Sequence, residues 1–382
     1  MKHTKIPILA LLVCLIACGS ETPRRVLIVG GIDNSTDQQG THHGLSSAEL
    51  YDEKKQAFVS TGSLNEGRGG HQATLLGNRQ VLVTGGDGAE TNHPVATAEL
   101  YDPRKGSFRV TQSMQIARAG HTAVLLGNGQ VLVAGGQDST FTESSTAELF
   151  DPATGTFSPT GMMHEPRAGH TATLLQDGRV LVAGGGNRTS LLSSAELYDP
   201  RTGTFNPTGS MSIPRLFATA TLLQDGTVLI AGGGSVVGNC TNCSVASAEI
   251  YDPTSGAFRP VGSMGSARRG HIAVLLKNHN VLVAGGLDDA LPDPKRFLSS
   301  AEIFDTKNLA FVPISGMTTA RFGHTASLLG NGKVLIAGGF ASGSTITDTA
   351  ELFDPLSNSF AVIGRLTDAR AGHTSTGLSN TN

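Results

Sequence analysis

The feature that most constrains this chain is a sevenfold internal repeat with fixed spacings. Each copy holds an Arg that opens a stretch similar to R-x-G-H-T, a Gly doublet, a Glu in A-E-L-[YF]-D, and a single Phe. The Arg lies 18 residues before the second Gly in all six copies that contain both, the Glu nine before the Phe, and the Phe ten before the next Arg. Only the connection from Gly doublet to Glu varies, between 11 and 18 residues. Stacked repeats form one continuous body, so we expect one domain, with function where the copies differ.

Within one copy, the residues predict four short β-strands. The apolar stretches 121–126 and 131–134 are separated by G-N-G and are typical of a tight hairpin. A third strand is expected at 147–150, and the turn D-P-A-T-G leads to a fourth around Phe157. Four strands in roughly 50 residues is the period of a β-propeller blade.

The repeat resembles that of the Kelch family in its Gly doublets and in the aromatic residue of A-E-L-[YF]-D. The family usually has a Trp seven residues further on, where this chain has Phe. The resemblance covers residues 26–379 and implies an all-β fold, a seven-bladed β-propeller of four-stranded antiparallel blades. The doublets begin at Gly30, Gly85, Gly135, Gly184, Gly232, Gly285 and Gly338, and the aromatic residues are Tyr51, Tyr101, Phe150, Tyr198, Tyr251, Phe304 and Phe353.

The phase of the repeat predicts how the ring closes. The repeated region begins with a second strand at 26–29 and ends with an isolated first strand at 373–378, so the C-terminal strand should complete the first blade. Alternating strand directions place every variable connection on one face. These connections are 32–47, 87–97, 137–146, 186–194, 234–247, 287–300 and 340–349.

The N-terminus predicts export and membrane anchoring. Two Lys precede the apolar run 6–16, which is typical of a signal peptide, and L-I-A-C at 15–18 resembles the bacterial lipobox. We therefore predict a signal peptide at 1–17, a tether at 18–25 lipidated on Cys18, and the propeller at 26–382. An ordinary signal peptide with a chance Cys is the alternative. The expected location is the cell envelope, with Gly19 slightly favouring the outer membrane.

The repeated Arg, Glu and His residues are interpreted as structural. A residue at the same place in every blade is spread around a wide ring, whereas a metal needs ligands that converge on one point. Arg and Glu are expected to pair within or between blades. The residues are Arg68, Arg118, Arg167, Arg268, Arg321, Arg370, Glu49, Glu99, Glu148, Glu196, Glu249, Glu302, Glu351, His71, His121, His170, His271, His324 and His373.

Blade 5 departs from the pattern, because Arg215, Phe217 and Ala218 replace R-x-G-H. Its connection holds Cys240 and Cys243, for which a disulfide is favoured in an oxidising compartment over a metal site or a redox pair. This blade is a candidate rim of a binding site, and relaxed drift is the alternative. The candidate binding face comprises Arg215, Phe217, Ala218, Phe141, Phe297, Phe340, Asp288 and Asp289.

Two acidic connections invite a metal interpretation that the spacing does not support. The first holds Asp33, Asp37, His42 and His43, and the second Asp288, Asp289 and Asp293. Neither has an established ligand spacing, so solvated polar loops are favoured and no metal or cofactor is predicted.

The favoured function is a non-enzymatic envelope lipoprotein that presents its loop face to a protein or polysaccharide. The net charge is −3 and no basic patch is evident, so no nucleic-acid partner is expected, and we expect a monomer that contacts the membrane through its lipid alone. The alternative is a periplasmic carbohydrate-active enzyme, such as a sugar mutarotase. Copper-radical chemistry like that of galactose oxidase is not supported, because all four Tyr occupy the repeated aromatic position.

Overall fold

The computed structural model describes residues 25–36, 42–90, 92–238, 240–293, 295–342 and 345–378. They form seven four-stranded antiparallel sheets arranged as the blades of a β-propeller, which confirms the predicted fold class. No helix in this part of the chain could span a membrane. The proposed signal peptide and Cys18 lie outside the described residues.

Each blade has four strands, arranged in order from the propeller axis outward. The strand bounds below are given in order from blade 1 to blade 7. The innermost strands are Thr374–Leu378, Gln72–Leu75, Thr122–Leu125, Thr171–Leu174, Thr219–Leu222, Ile272–Leu275 and Thr325–Leu328. The second strands are Arg25–Val29, Val81–Thr84, Val131–Ala134, Val180–Ala183, Val228–Ala231, Val281–Ala284 and Val334–Ala337. The third strands are Ala48–Asp52, Ala98–Asp102, Ala147–Asp151, Ala195–Asp199, Ala248–Asp252, Ala301–Asp305 and Thr349–Asp354. The outermost strands are Ala57–Ser60, Ser107–Val110, Thr156–Pro159, Thr204–Pro207, Ala257–Val261, Ala310–Ile314 and Ser359–Arg365.

Three further two-stranded ladders lie among the connections. Ile32–Thr36 pairs with His42–Gly44, and Gly234–Val237 pairs with Cys240–Ser244. The third ladder joins Arg68–Gly69 to Asp87–Gly88.

The core lies between the blades. Apart from Arg25, every residue of the second strands is at most 2 % exposed, because neighbouring blades cover both faces of each sheet. Such strands favour an unbroken apolar run over strict alternation, as V-L-V-A shows. One core cluster joins Val26 and Tyr51 of blade 1 to Leu335 of blade 7.

Both ends of the described chain build blade 1. The innermost strand Thr374–Leu378 pairs antiparallel with Arg25–Val29, with Val26 opposite Gly377 and Val29 opposite Thr374. Without this pairing, blade 1 would lack its inner strand and the ring would have an open seam. The predicted closure by the C-terminal strand is confirmed.

The repeated Arg side chain joins the strands of its own blade. In every blade its Nη1 donates to the carbonyl of the first Gly of the doublet, at 2.7 to 3.0 Å. Its Nη2 lies 2.8 to 3.3 Å from the repeated Glu. Its own carbonyl accepts from the second Gly of the preceding blade, at 2.8 to 2.9 Å. One residue thus links strands and blades at once.

The repeated His lies between blades. Its Nε2 meets a Thr hydroxyl of the preceding blade in five of six cases, for example Thr374 for His71 at 3.0 Å. All six rings are at most 6 % exposed, and burial lowers their pKa. These buried imidazole side chains are distributed around the propeller and serve to join neighbouring blades.

Candidate binding face

The variable connections all reach one face of the propeller. In each blade the residue after the Gly doublet pairs with the residue after the repeated Arg. The two connections of a blade therefore end side by side. We call this surface the loop face and number its variable loops by blade, from loop 1 (32–47) to loop 7 (340–349).

A ring of seven residues with left-handed backbone surrounds the axis below the loops. Six are Gly with φ of 60 to 66°, and the seventh is Phe217 with φ of 56°. Phe217 donates its N–H to the Gly169 carbonyl at 3.0 Å and accepts from Gly270 at 3.4 Å. A side chain in this conformation costs roughly 1–2 kcal/mol. The Phe217 ring lies over Gly169, where an added Cβ would be 2.8 Å away, so the absence of a side chain there makes room for it.

Polar or ring contacts join three pairs of neighbouring loops, and an apolar cluster also joins loops 6, 7 and 1. Loop 1 contacts loop 7 through two hydrogen bonds. The side-chain amide of Asn34 donates to the Ile346 carbonyl at 2.8 Å and accepts from the Ile346 N–H at 2.7 Å. Loop 2 leans on loop 3, where His93 bonds the Ser139 carbonyl at 3.1 Å and packs on Phe141 at 4.9 Å. The third pair joins loops 5 and 6. These contacts fix the loop face without a ligand.

The contact of loop 5 with loop 6 includes a partly exposed ion pair. Ser244 donates to Asp289 at 2.7 Å, and Asp289 is held by Arg269 at 2.7 and 3.0 Å. Burial would raise the pKa of Asp289, but the hydrogen bonds and charge of Arg269 lower it overall. Cys240 and Cys243 form a disulfide within the same loop 5 hairpin.

A cleft opens between loops 1 and 2. The space between the two loops, about 430 Å³, is open to solvent and has residues 65–67 as its floor. These residues contact loop 2, where the Ala89 N–H donates to the Gly67 carbonyl at 2.8 Å. Ser46, Asn65, Glu66 and Glu90 line it, together with two Gly and an Ala. Glu66 accepts from Thr97 at 2.6 Å, while Glu90 is exposed.

Asp87 is the most perturbed carboxyl of the loop face. It follows the Gly doublet of blade 2, and its backbone pairs with Gly69 beside the axial ring. Burial raises its pKa to about 7, and His93 partly opposes this. Its Oδ1 is buried and has no hydrogen-bond partner among the residues that the structure describes. A carboxyl that titrates near neutral pH can exchange protons with a ligand.

The sequence-derived candidates occupy different places. Arg215 occupies the same buried position in blade 5 as the other six repeated Arg residues do in their blades, and its Nη2 lies 3.0 Å from Glu249. Phe297 and Phe340 are each 8 % exposed, in an apolar cluster that joins loops 6, 7 and 1. Phe141 stands open at 47 %. The candidate aromatic surface is therefore reduced to Phe141.

The remaining candidates are internal or paired. Phe217 and Ala218 are buried at the axial ring. Asp288 is 9 % exposed and accepts from the Ala290 N–H at 3.0 Å, which forms a local turn. Within the described ranges no three His, Cys, Asp or Glu side chains are grouped to hold a metal ion. Asp37 lies outside those ranges.

Sequence reasoning missed Glu66, Glu90 and Asp87. Glu66 precedes the repeated Arg by two residues, a position that is also acidic in two other copies, as Glu165 and Asp368, and holds Ile, Ser or Thr in the rest. Asp87 follows the doublet, where other copies have Ile, Gln, Gly, Leu or Phe. Both positions lie beside a fixed landmark but vary in type. Comparing the copies would have singled out Asp87, the one acidic residue at its position, but not Glu66.

Comparisons with known proteins agree with this architecture. The KLHDC2/KLHL20/DRC7 Kelch-repeats domain matches residues 70–286, and the Kelch motif matches residues 321–367. No curated protein sequence matches significantly. Solved structures that match include a fungal alcohol oxidase of the AA5 family in complex with copper, at 19 % identity and a TM-score of 0.66, covering 84 % of this chain and 70 % of that one. Another is YjhT, at 13 % identity and a TM-score of 0.58, covering 77 % and 97 %. These identities show a shared fold alone, whereas the first family model spans more than half of the sequence: the chain belongs to the Kelch-repeat family.

Proposed function

We propose that this chain is a non-enzymatic binding protein of the cell envelope, which uses its loop face to bind a protein or polysaccharide. The observation that supports this most is the cleft between loops 1 and 2. It lies on the one face where the repeats differ, and docked loop pairs hold its walls in place. A preformed cleft avoids the entropic cost of ordering loops when a partner binds.

A ligand screen tests the proposal. Thermal unfolding of residues 19–382 is followed with sugars, envelope polysaccharide fragments and peptides, since a ligand at a hundred times its Kd adds about 2.7 kcal/mol of stability. Glu90→Gln and Ala89→Phe alter the cleft, and Arg104→Gln on the opposite face is the matched control. A hit that both cleft variants abolish and the control retains supports the proposal. A hit that survives the cleft variants, or no hit at all, contradicts it.

The envelope location is part of the proposal and rests on Cys18 alone. A Cys18→Ser chain should lose incorporation of labelled fatty acid and move from the membrane to the soluble fraction. Membrane attachment that survives this change would contradict lipid anchoring.

A second candidate, a carbohydrate-active enzyme such as a sugar mutarotase, is favoured by Asp87. Its carboxyl has a pKa raised to about 7, as acid–base catalysis at neutral pH requires. Anomer exchange measured by NMR should then be faster with the chain than without it and be lost in Asp87→Asn. Rates equal to the uncatalysed rate for every sugar in the panel would exclude this candidate.

The oxidase chemistry named for the fungal relative is not proposed for this chain. Three of the four Tyr hydroxyls bond Thr side chains inside the blades, at 2.8 to 2.9 Å, and Tyr51 is 1 % exposed at the same repeated position. No Tyr therefore stands at the loop face.

A further inference from the structure

The outermost strand of each blade has one edge without a partner strand, and the residue opposite the repeated Glu differs among the blades. In four consecutive blades, 3 to 6, it is Pro: Pro159, Pro207, Pro260 and Pro313. In blades 7, 1 and 2 it is Val362, Ser60 and Val110.

The strand register shows which way this residue faces. In blade 3, Thr160 donates its N–H inward to the Ala147 carbonyl at 3.1 Å. Because backbone groups alternate along a strand, Pro159 faces outward, away from the sheet. A Pro there removes an outward donor and blocks the addition of another strand. Pro therefore protects the outer edges of blades 3 to 6 against strand addition, and the outer edges of blades 7, 1 and 2 lack this Pro.

Charged residues protect two of the three remaining edges against strand addition. Blade 2 carries the exposed Arg109 within its outer strand, and blade 1 has Lys54 and Lys55 in the turn just before it. Charged residues at an edge oppose strand addition. Blade 7 has no charged residue from Pro355 to Gly364.

The edge of blade 7 is also the longest and is apolar. Its outer strand, Ser359–Arg365, spans seven residues, and those of the other blades span four or five. Val362 is 53 % exposed and Leu356, in the preceding turn, is 96 % exposed. The ladder has one irregularity, beyond Val362, so Val362 keeps the register that the Pro residues have elsewhere. The six residues from Ser359 to Gly364 are uncharged and Pro-free, and the Arg365 that ends the strand is paired with Asp348 at 2.7 Å. An uncharged stretch of this length is a template for pairing.

We propose that the outer edge of blade 7 binds an extended, uncharged segment of a partner polypeptide by β-strand addition. Another β-strand can pair with all the outward N–H and C=O groups of the blade 7 outer strand. Because residues 355–364 carry no charge, this edge favours an uncharged partner strand. A second copy of this chain is the weaker occupant, because one strand pair alone falls short of the roughly 1,200 Å² that stable interfaces bury. This edge lies on the circumference, so the inference does not depend on the loop face.

The chain itself supplies the test variants. Val362→Pro copies the guard of blades 3 to 6, where the fold accepts Pro at the same register. Pro159→Val removes the Pro from the edge of blade 3, where residues 152–159 hold no charge. The probe is a pool of fluorescein-labelled seven-residue peptides in which Thr alternates with Val, Ile or Phe, added to the Cys18→Ser chain. Fluorescence anisotropy measures binding, and amide hydrogen exchange locates it.

We expect saturable binding with slower exchange at 359–365, and at least a tenfold loss of affinity in Val362→Pro. Pro159→Val should gain protection at 156–159, and absence of that gain would refute the role assigned to the Pro residues. If Val362→Pro does not fold, Val362→Lys replaces it. The proposal is overturned if no saturable binding is seen, if Val362→Pro binds the peptides as tightly as the unchanged chain, or if the peptides slow exchange elsewhere than at 359–365. Concentration-dependent doubling of mass with protection at 359–365, without peptide, would assign the edge to a second copy.

Discussion

Lowering the pH from 7.5 to 5 should destabilise this propeller through its buried histidines. Burial lowers the pKa of His71 and of His121 to about 3, and the neighbouring Arg68 and Arg118 add to the effect. The same cause lowers the pKa of the other four repeated His residues well below 6.5. The native state therefore keeps these rings neutral at pH values where the unfolded chain protonates them.

The sign follows from proton linkage. Between pH 6.5 and about 3 the unfolded state binds more protons at these sites, so stability is full above pH 6.5 and is lost as the pH falls through this window. At pH 5 an unfolded His with a pKa of 6.5 is almost fully protonated, which costs the native state about 2 kcal/mol per site. His71 and His121 alone then remove about 4 kcal/mol, a large part of a typical folding free energy. The other four act in the same direction.

Asp87 has the opposite effect and supplies a matched variant. Its pKa is raised to about 7 in the native state from 3.8, so the native state binds the extra proton and stability rises as the pH falls between these values. From pH 7.5 to pH 5 this gain is about 2–3 kcal/mol. Asp87→Asn removes it, so the variant should lose more stability than the wild type over the same interval.

Urea unfolding of residues 19–382, followed by circular dichroism because the chain has no Trp, measures both effects. The urea midpoint of the wild type should fall from pH 7.5 to pH 5, and that of Asp87→Asn should fall further. A wild-type midpoint that stays constant over this interval would refute the neutral, sequestered state of the histidines. Parallel curves for the two proteins would refute the raised pKa of Asp87.

Three further outcomes are expected. Deleting residues 370–382 removes the inner strand of blade 1 and should lower the Tm far more than loss of a terminal tail; an unchanged Tm would contradict closure. Arg321→Met leaves the buried Glu351 with hydrogen bonds from the N–H groups of Thr318 and Thr319 but without its cation, and should cost about 3–5 kcal/mol in urea unfolding. The control Arg201→Met, at a pair in which the Arg side chain is 81 % exposed, should change stability by less than about 1 kcal/mol. Replacing both Cys240 and Cys243 by Ser opens a four-residue loop and should cost at most about 2 kcal/mol; a larger loss would mean that the hairpin supports the blade.

The fold could be predicted from the sequence because each repeat encodes its own strands. Fixed spacings set the hairpins, and the phase of the repeat at Val26 and Leu378 set the closure, both of which the structure confirms. The position of the loops on one face follows from strand alternation. These features depend on local patterns that recur seven times.

The details of the loop face could not be predicted, because they depend on single contacts between distant residues. Asn34 and Ile346 are 312 residues apart, and their hydrogen bonds join loop 1 to loop 7. Phe340 is hydrophobic and lies in a variable loop, and its neighbours along the chain do not indicate that loop 7 folds over it. The cleft lies between loops that make such contacts, and no single residue within it indicates the gap.

Blade 5 shows why a departure from the repeat is not in itself a site. Ala218 replaces the His that would meet the hydroxyl of Thr171 in blade 4, and Thr171 bonds the Ala183 carbonyl of its own blade instead, at 3.3 Å. Phe217 replaces a Gly, and its ring lies over Gly169 of blade 4. Both changes are absorbed inside the propeller, next to the residues they affect. The surfaces left open are instead those where neighbours fail to meet, between loops 1 and 2 and along the outer edge of blade 7, and these are where partners should be sought.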